Sequence, residues 1–277
     1  MKKWLIAGVS GLFLITGTWL GQATPYLELF FKEEPEPVYQ AQESILNTLK
    51  INSEHRQVDY LSIGDSVAMG KGSEQDEQGY TSHIERELEK ENLQVTLDNQ
   101  GISGQTSAEL RSALETESGL STKVKEADFI TLTIGGNDLL KVVLEEKNPM
   151  KVLTEFPKIQ AEFKTNLTAI MDQLTTLNPE APIIVTTLYN PLSPQESYYD
   201  HSDNMLTIWN RGLKEVVYQY STGYVVDVDE VLTPNPERSW LADEIHPNGK
   251  GYALMAAKMV KEIRGNAQAS ANAQFNR

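Results

Sequence analysis

The chain has 277 residues, enough for one α/β domain with a sizeable core, and its 40% hydrophobic and 23% charged content are ordinary for a globular protein. A formal net charge of −15 argues against nucleic acid as a partner, because phosphate binding needs a basic footprint; it also disfavours docking of the folded domain on anionic lipid head groups. The absence of cysteine excludes disulfides, thiolate catalysis, cysteine-based metal sites and the lipid-attachment cysteine of a bacterial lipoprotein.

Residues 1–23 read as a targeting segment. Lys2 and Lys3 give a positive start, and Trp4 to Leu20 is apolar apart from Ser10, Thr16 and Thr18. Gly21-Gln22-Ala23 offers small residues at a cleavage site. The run suits either a cleaved signal peptide or an uncleaved membrane anchor, and in both cases the remainder is expected outside the cytoplasm, since positive charge stays inside. Residues 24–56 read as a spacer, broken by Pro25, Pro35 and Pro37 among Glu33, Glu34 and Glu36, with a short helix expected around Gln40 to Leu49.

The domain spans residues 57–264, with apolar runs alternating with helical patterns. Strands are expected at Val58–Ile63, Leu93–Leu97, Phe129–Ile134, Ile183–Leu188 and Tyr224–Val228. Helices are expected at Tyr80–Glu91, from about Ser107, at Phe156–Leu177, Met205–Tyr220 and Gly249–Ile263. The third of these has Phe163, Leu167, Ile170, Met171 and Leu174 on one face. Residues 265–277, rich in Ala, Asn, Gln and Ser, are expected to be disordered. Alternating strands and helices imply βαβ units and a parallel sheet covered on both faces, with ligands beyond the carboxyl ends of the strands.

Three blocks fall at those ends. Gly64-Asp65-Ser66 follows the first strand, Asn99-Gln100-Gly101-Ile102-Ser103-Gly104 the second, and Gly135-Gly136-Asn137-Asp138 the third. Asp243-Glu244-Ile245-His246-Pro247 lies just before the last helix. Alone, each has an ordinary explanation: Gly-Asp-Ser is a common turn sequence, and Gly104 and Asn137 suit simple turns. Together they provide a nucleophile in Ser66, a base in His246 and an orienting acid in Asp243, three residues before it. Gly104 and Asn137 add donors for an oxyanion. His55, His83 and His201 lie in no such setting. The Gly-x-Ser-x-Gly elbow, His-Glu-x-x-His and Walker-type loops are absent. No metal and no cofactor are expected.

These blocks resemble the SGNH hydrolases, also called GDSL-type esterases, over about residues 58–264. The forms around Gly104 and Asn137 resemble the bacterial thioesterase and lysophospholipase branch in particular. The resemblance implies a three-layer α/β/α sandwich on a five-stranded parallel, flavodoxin-like sheet. It makes Ser66 the nucleophile, His246 the base and Asp243 its partner, with an oxyanion hole of Ser66 N–H, Gly104 N–H and the Asn137 amide. Val67 stands where the family often has Leu.

The expected activity is hydrolysis of acyl or lipid esters. A cell-wall polysaccharide deacetylase is the alternative within enzymes, and a non-catalytic binding module the alternative outside them. Lys141 to Lys158 reads as an insertion whose Val142, Val143, Leu144, Met150, Val152, Leu153 and Phe156 either wall an acyl pocket or pack on the core. Tyr189 to Asn204 reads as a loop in which Tyr189, Tyr198 and Tyr199 either meet substrate or cover the core.

Overall fold

A computed structural model of the chain describes residues 44–52, 56–74, 77–145, 149–196, 198–233 and 237–265, without the side chains of 52, 142–145 and 149–153. The targeting segment, most of the spacer and the tail beyond Gly265 lie outside the described residues. The spacer's expected helix is described from Ile45, as α1 (Ile45–Asn52), which buries Ile45, Leu46 and Leu49. Among the described residues no helix is long and apolar enough to cross a membrane.

The elements then follow as β1 (Gln57–Gly64), α2 (Ser66–Met69), α3 (Tyr80–Lys90), β2 (Gln94–Gly101), α4 (Ser107–Thr116) and α5 (Ser118–Glu126). Next come β3 (Phe129–Thr133), α6 (Gly136–Glu145), α7 (Pro149–Leu177), β4 (Ile183–Thr186), α8 (Tyr199–Val217), β5 (Gly223–Val226), α9 (Asp229–Leu232) and α10 (Gly249–Arg264). The five strands form one parallel sheet in the order β2-β1-β3-β4-β5. This is the flavodoxin-like order, in which the order of adding strands reverses between β1 and β3 while all strands stay parallel.

Successive residues of a strand face opposite layers. Val58 and Tyr60 pack with α1, α3 and α10, where Tyr60 stacks on Phe129 at 4.3 Å. Leu61 and Ile63 pack with α4, α5, α7 and α8, where Phe163 stacks on Trp209 at 4.4 Å. The result is a three-layer α/β/α sandwich with one apolar core on each side of the sheet.

The expected strands all form, with shifted ends. β2 runs on to Gly101, through Asp98-Asn99-Gln100. An edge strand needs one partner only, and the ladder to Leu61, Ser62 and Ile63 of β1 tolerates polar side chains. β4 stops at Thr186 because the Asn210 side chain takes over, accepting from Leu188 N at 2.9 Å and donating to Leu188 O at 2.8 Å. β5 stops at Val226, where Thr187 Oγ1 accepts from Val228 N at 3.0 Å.

The stretch read as an insertion holds the end of α6 and the first ten residues of α7, which runs through Pro157 rather than starting beside it. α8 begins six residues before the expected Met205, so the last six residues of the expected loop 189–204 are helical. α5, separated from α4 at Glu117, was not expected as a separate helix.

Candidate active site

The carboxyl end of β1 is shaped by Gly64. Its φ is +131°, and a Cβ there would sit 2.0 Å from Thr133 O. Only glycine lets β1 turn this closely over β3, and Asp65 N then donates to Thr133 O at 2.9 Å. The Asp65 carboxylate caps α2 by accepting from Val67 N at 2.9 Å. Ser66 is thus the first helical residue after a strand, and it is buried. Burial raises the Asp65 pKa to about 7, against the pull of the Val67 and Ala68 N–H groups.

His246 reaches Ser66 from a folded-back loop. Leu241 bridges Pro247, Ala242 N donates to His246 O at 2.8 Å, and Asn248 N donates to Trp240 O at 2.8 Å. Within this loop Asp243 Oδ1 accepts from Ile245 N at 2.9 Å and His246 N at 2.8 Å. The His246 ring then meets the same carboxylate, Nδ1 lying 2.8 Å from Oδ2, while Nε2 lies 2.9 Å from Ser66 Oγ.

A carboxylate can only accept, so Nδ1 carries the proton and Nε2 accepts from the Ser66 hydroxyl. Burial raises the Asp243 pKa, but the two N–H groups and the ring outweigh it and hold it at about 2. Asp243 is therefore ionised over the neutral range. Two further contacts seat the loop. Gly72, at φ +93°, passes so close that a Cβ would lie 2.5 Å from Pro247 O. Tyr189 Oη donates to Ile245 O at 2.6 Å, its ring edge-on to Trp240.

The opposite wall is built from the ends of β2 and β3. Asn99 Nδ2 donates to Ala68 O at 2.9 Å and Ile102 N to Gly64 O at 2.8 Å, which fixes the β2 loop against α2. Gly104 follows at φ +85°, exposed. Asn137 Nδ2 donates to Gln105 O at 2.9 Å, and Asp138 accepts from Ser107 N at 2.9 Å and from Ser107 Oγ. Asp138 thus caps α4, a helix 31 residues away, rather than only its own. Burial, above all, raises its pKa.

The structure therefore brings Ser66, His246 and Asp243 into one hydrogen-bonded line and sets Gly104 and Asn137 on the same sheet edge, joined through Gln105. Neither Ser66 N–H nor Gly104 N–H donates to another described residue, and the Asn137 amide has a second hydrogen beyond the one given to Gln105.

Tyr189 is half-buried and bonded to the His246 loop. Tyr198 and Tyr199 are half-buried at the start of α8, where burial followed by Asp203 and Asp229 raises the Tyr199 pKa. Of the suggested pocket wall, Phe156 is fully buried in the core, 6.3 Å from Trp209; the side chains of Val142, Val143, Leu144, Met150, Val152 and Leu153 lie outside the described ones. The sequence reading missed Gly72 and the Asp138–Ser107 clamp. The signal for the clamp was the Thr106-x-x-Glu109 capping box, which marks where α4 begins.

Comparison with known proteins adds to this geometry. The model of the GDSL-like lipase/acylhydrolase family matches residues 62–254. The spore germination lipase LipC of Bacillus licheniformis is 27% identical over 205 residues, covering 72% of this chain and 93% of LipC. YpmR of Bacillus subtilis is 26% identical over 208 residues, covering 73% of this chain and 80% of YpmR. The solved lipase Lip_vut3 from a goat rumen metagenome superposes with a TM-score of 0.66 at 26% identity, over 76% of this chain and 99% of that one. The acetylxylan esterase Axe2 of Geobacillus stearothermophilus shares the fold, with a TM-score of 0.54 at 21% identity, over 74% and 94%.

Proposed function

The chain belongs to the GDSL-like lipase/acylhydrolase family and is a carboxylic ester hydrolase, and on that premise we propose that it cleaves acyl esters through an acyl-enzyme formed on Ser66. The observation that carries this reading is the unbroken line Asp243–His246–Ser66, with spacings of 2.8 and 2.9 Å, beside a wall of unspent donors.

Ser66 Oγ attacks the ester carbonyl carbon as His246 Nε2 takes the hydroxyl proton. The carbonyl oxygen becomes an oxyanion facing the N–H groups of Ser66 and Gly104 and the free Asn137 hydrogen. Collapse breaks the bond to the alcohol, which leaves with the proton from Nε2. Water then repeats the sequence on the acyl-enzyme: Nε2 takes a water proton, the hydroxyl adds to the acyl carbon, and Ser66 leaves with the proton restored. Asp243 stays ionised throughout and stabilises the imidazolium. The chemistry uses no cofactor.

The substrate class we favour is a lipid-like acyl ester, of lysophospholipase or thioesterase type. The lipase relatives support it, and LipC is named for a lipase. Removal of acetyl groups from cell-wall polysaccharide needs the same machinery and is the second outcome of a substrate panel. We place the reaction outside the cytoplasm, on the strength of Lys2-Lys3 and the apolar run after them. By that same run the chain is either secreted or anchored to the outer face of the membrane.

Ser66→Ala is expected to lower ester hydrolysis by about 10⁵-fold or more, with an unchanged melting curve. A fluorophosphonate probe is expected to label the wild type at Ser66. Labelling elsewhere, or turnover retained by the variant, overturns the assignment.

A further inference from the structure

Among the described residues three large apolar side chains are exposed: Ile51 at 80%, Met69 at 49% and Ile102 at 53%. Single apolar residues scattered on a surface are ordinary. Ile51, on α1, is one of these. Met69 and Ile102 are not scattered. Met69 ends α2, one helical turn and about 4.5 Å along the axis from Ser66. Ile102 precedes Gly104 by two residues, at most about 7 Å of chain.

The two are also held to each other. Gly101 lies so close to α2 that a Cβ on it would be 2.2 Å from Met69 N. Ile102 N is tied to Gly64 O, and Asn99 clasps Ala68 O while accepting from Gly101 N at 3.0 Å. These bonds fix the two backbones side by side.

We propose that Met69 and Ile102 form an apolar lip beside Ser66 that receives the acyl chain of the substrate, so that esters of medium-length and longer fatty acids are preferred to acetyl esters. This rests on the catalytic reading above. The direction follows from the chemistry. The alcohol oxygen must face His246 Nε2, which returns its proton, and the carbonyl oxygen must face Gly104 and Asn137. The acyl chain is the substituent that remains. Ile102 belongs to the Gly104 loop, on the wall away from His246, and so lies on the acyl side. A polysaccharide acetyl ester presents only a methyl group on that side, too small to cover both side chains.

The test is kcat/KM on p-nitrophenyl esters from acetyl to decanoyl, kept below their aggregation concentrations, for the wild type and for Met69→Gln with Ile102→Thr. Each methylene that leaves water is worth about fourfold. A shallow two-residue lip covering part of the chain is therefore expected to contribute about 10-fold. The double variant should keep its acetyl rate within about twofold and lose about 10-fold on decanoyl. Ile102→Leu should retain the decanoyl rate, which separates lost apolar contact from a disturbed loop.

Equal losses on acetyl and decanoyl esters overturn the lip. So does a loss that follows alcohol length in a series of acetates, or one seen only with aggregated substrate, which would make the lip a contact for a lipid surface. An active enzyme with a flat acyl-chain profile overturns the lip alone. A chain that hydrolyses no ester of the series, or a Ser66→Ala variant that remains active, overturns the catalytic reading with it.

Discussion

On the wall that carries His246 the reacting groups are paired before any substrate arrives, whereas on the wall that carries Gly104 and Asn137 the donors are left over. The Asp243 carboxylate holds two backbone N–H groups and the ring, and Nε2 holds the Ser66 hydroxyl. Across the site, the Ser66 and Gly104 N–H groups and one Asn137 hydrogen face no described acceptor. The difference follows from when each charge exists. The Asp243 charge is permanent and must be satisfied in the free protein. In the proposed mechanism the oxyanion forms only as Ser66 attacks, so donors meant for it work best if nothing else holds them.

The sharpest way to break this comparison is Asn137→Ala. It is expected to lower kcat by about 100- to 1000-fold while changing KM little, because a nearly neutral carbonyl gains little from the donor that the oxyanion needs. The lost bond to Gln105 O should cost about 1 kcal/mol of stability as well. Steady-state kinetics and a denaturant melt on the same variant separate the two effects. Near-normal kcat per folded molecule would remove Asn137 from the oxyanion wall.

A second test concerns Asp65, which stands between the walls: its N–H is tied to β3 and its carboxyl caps the helix that begins with Ser66. An unfolded aspartate releases its proton near pH 4, whereas folded Asp65 holds it to about 7. Between those values the folded state binds more protons than the unfolded one, so Asp65 lowers stability as pH rises. Its contribution is fully present below pH 4 and is lost as pH passes 7, on the order of 4 kcal/mol in all. Asp65→Asn, whose amide oxygen can still accept from Val67 N, should remove that slope. Melts at pH 4.5 and 7.5 check it, and parallel slopes for wild type and variant would show that Asp65 does not titrate in this window.

The same contrast explains what could be read in advance. β1 and β3 are short apolar runs, so their composition announces strands, and Ser66 and Asn137 stand just past their ends. Asp243 and His246 are three residues apart, close enough for a single turn to join them, so their pairing is legible locally. The end of β2 was not, because Asp98-Asn99-Gln100 reads as loop unless the neighbouring strand is known. The start of α7 was not either, since Pro157 reads as a boundary. What escaped the sequence were bonds between distant segments: Asp138 to Ser107, Gly72 against Pro247, and Tyr189 to Ile245, 56 residues apart. Nothing in the local pattern marks a hydroxyl whose acceptor lies in another loop.

Tyr189 gives the smallest expected effect and the finest test. Its hydroxyl donates to the carbonyl of Ile245, the residue between Glu244 and His246, and its ring stays packed on Trp240 if the hydroxyl alone is removed. Tyr189→Phe therefore deletes one bond from a loop that keeps the Leu241–Pro247 bridge, the Ala242–His246 bond and both N–H bonds to Asp243. One neutral hydrogen bond is worth about 1 kcal/mol, which in a domain of this size is about 2–4 °C of melting temperature. Because the remaining bonds still orient the ring, kcat should fall only about two- to fivefold, with KM and acyl-chain preference unchanged. A change in chain preference would instead put Tyr189 in the path of the substrate, as the loop's aromatic content suggests from sequence. A loss as large as that of Asn137→Ala would mean that the His246 wall depends on each of its bonds singly, and the contrast between a redundantly paired wall and an open one would fail.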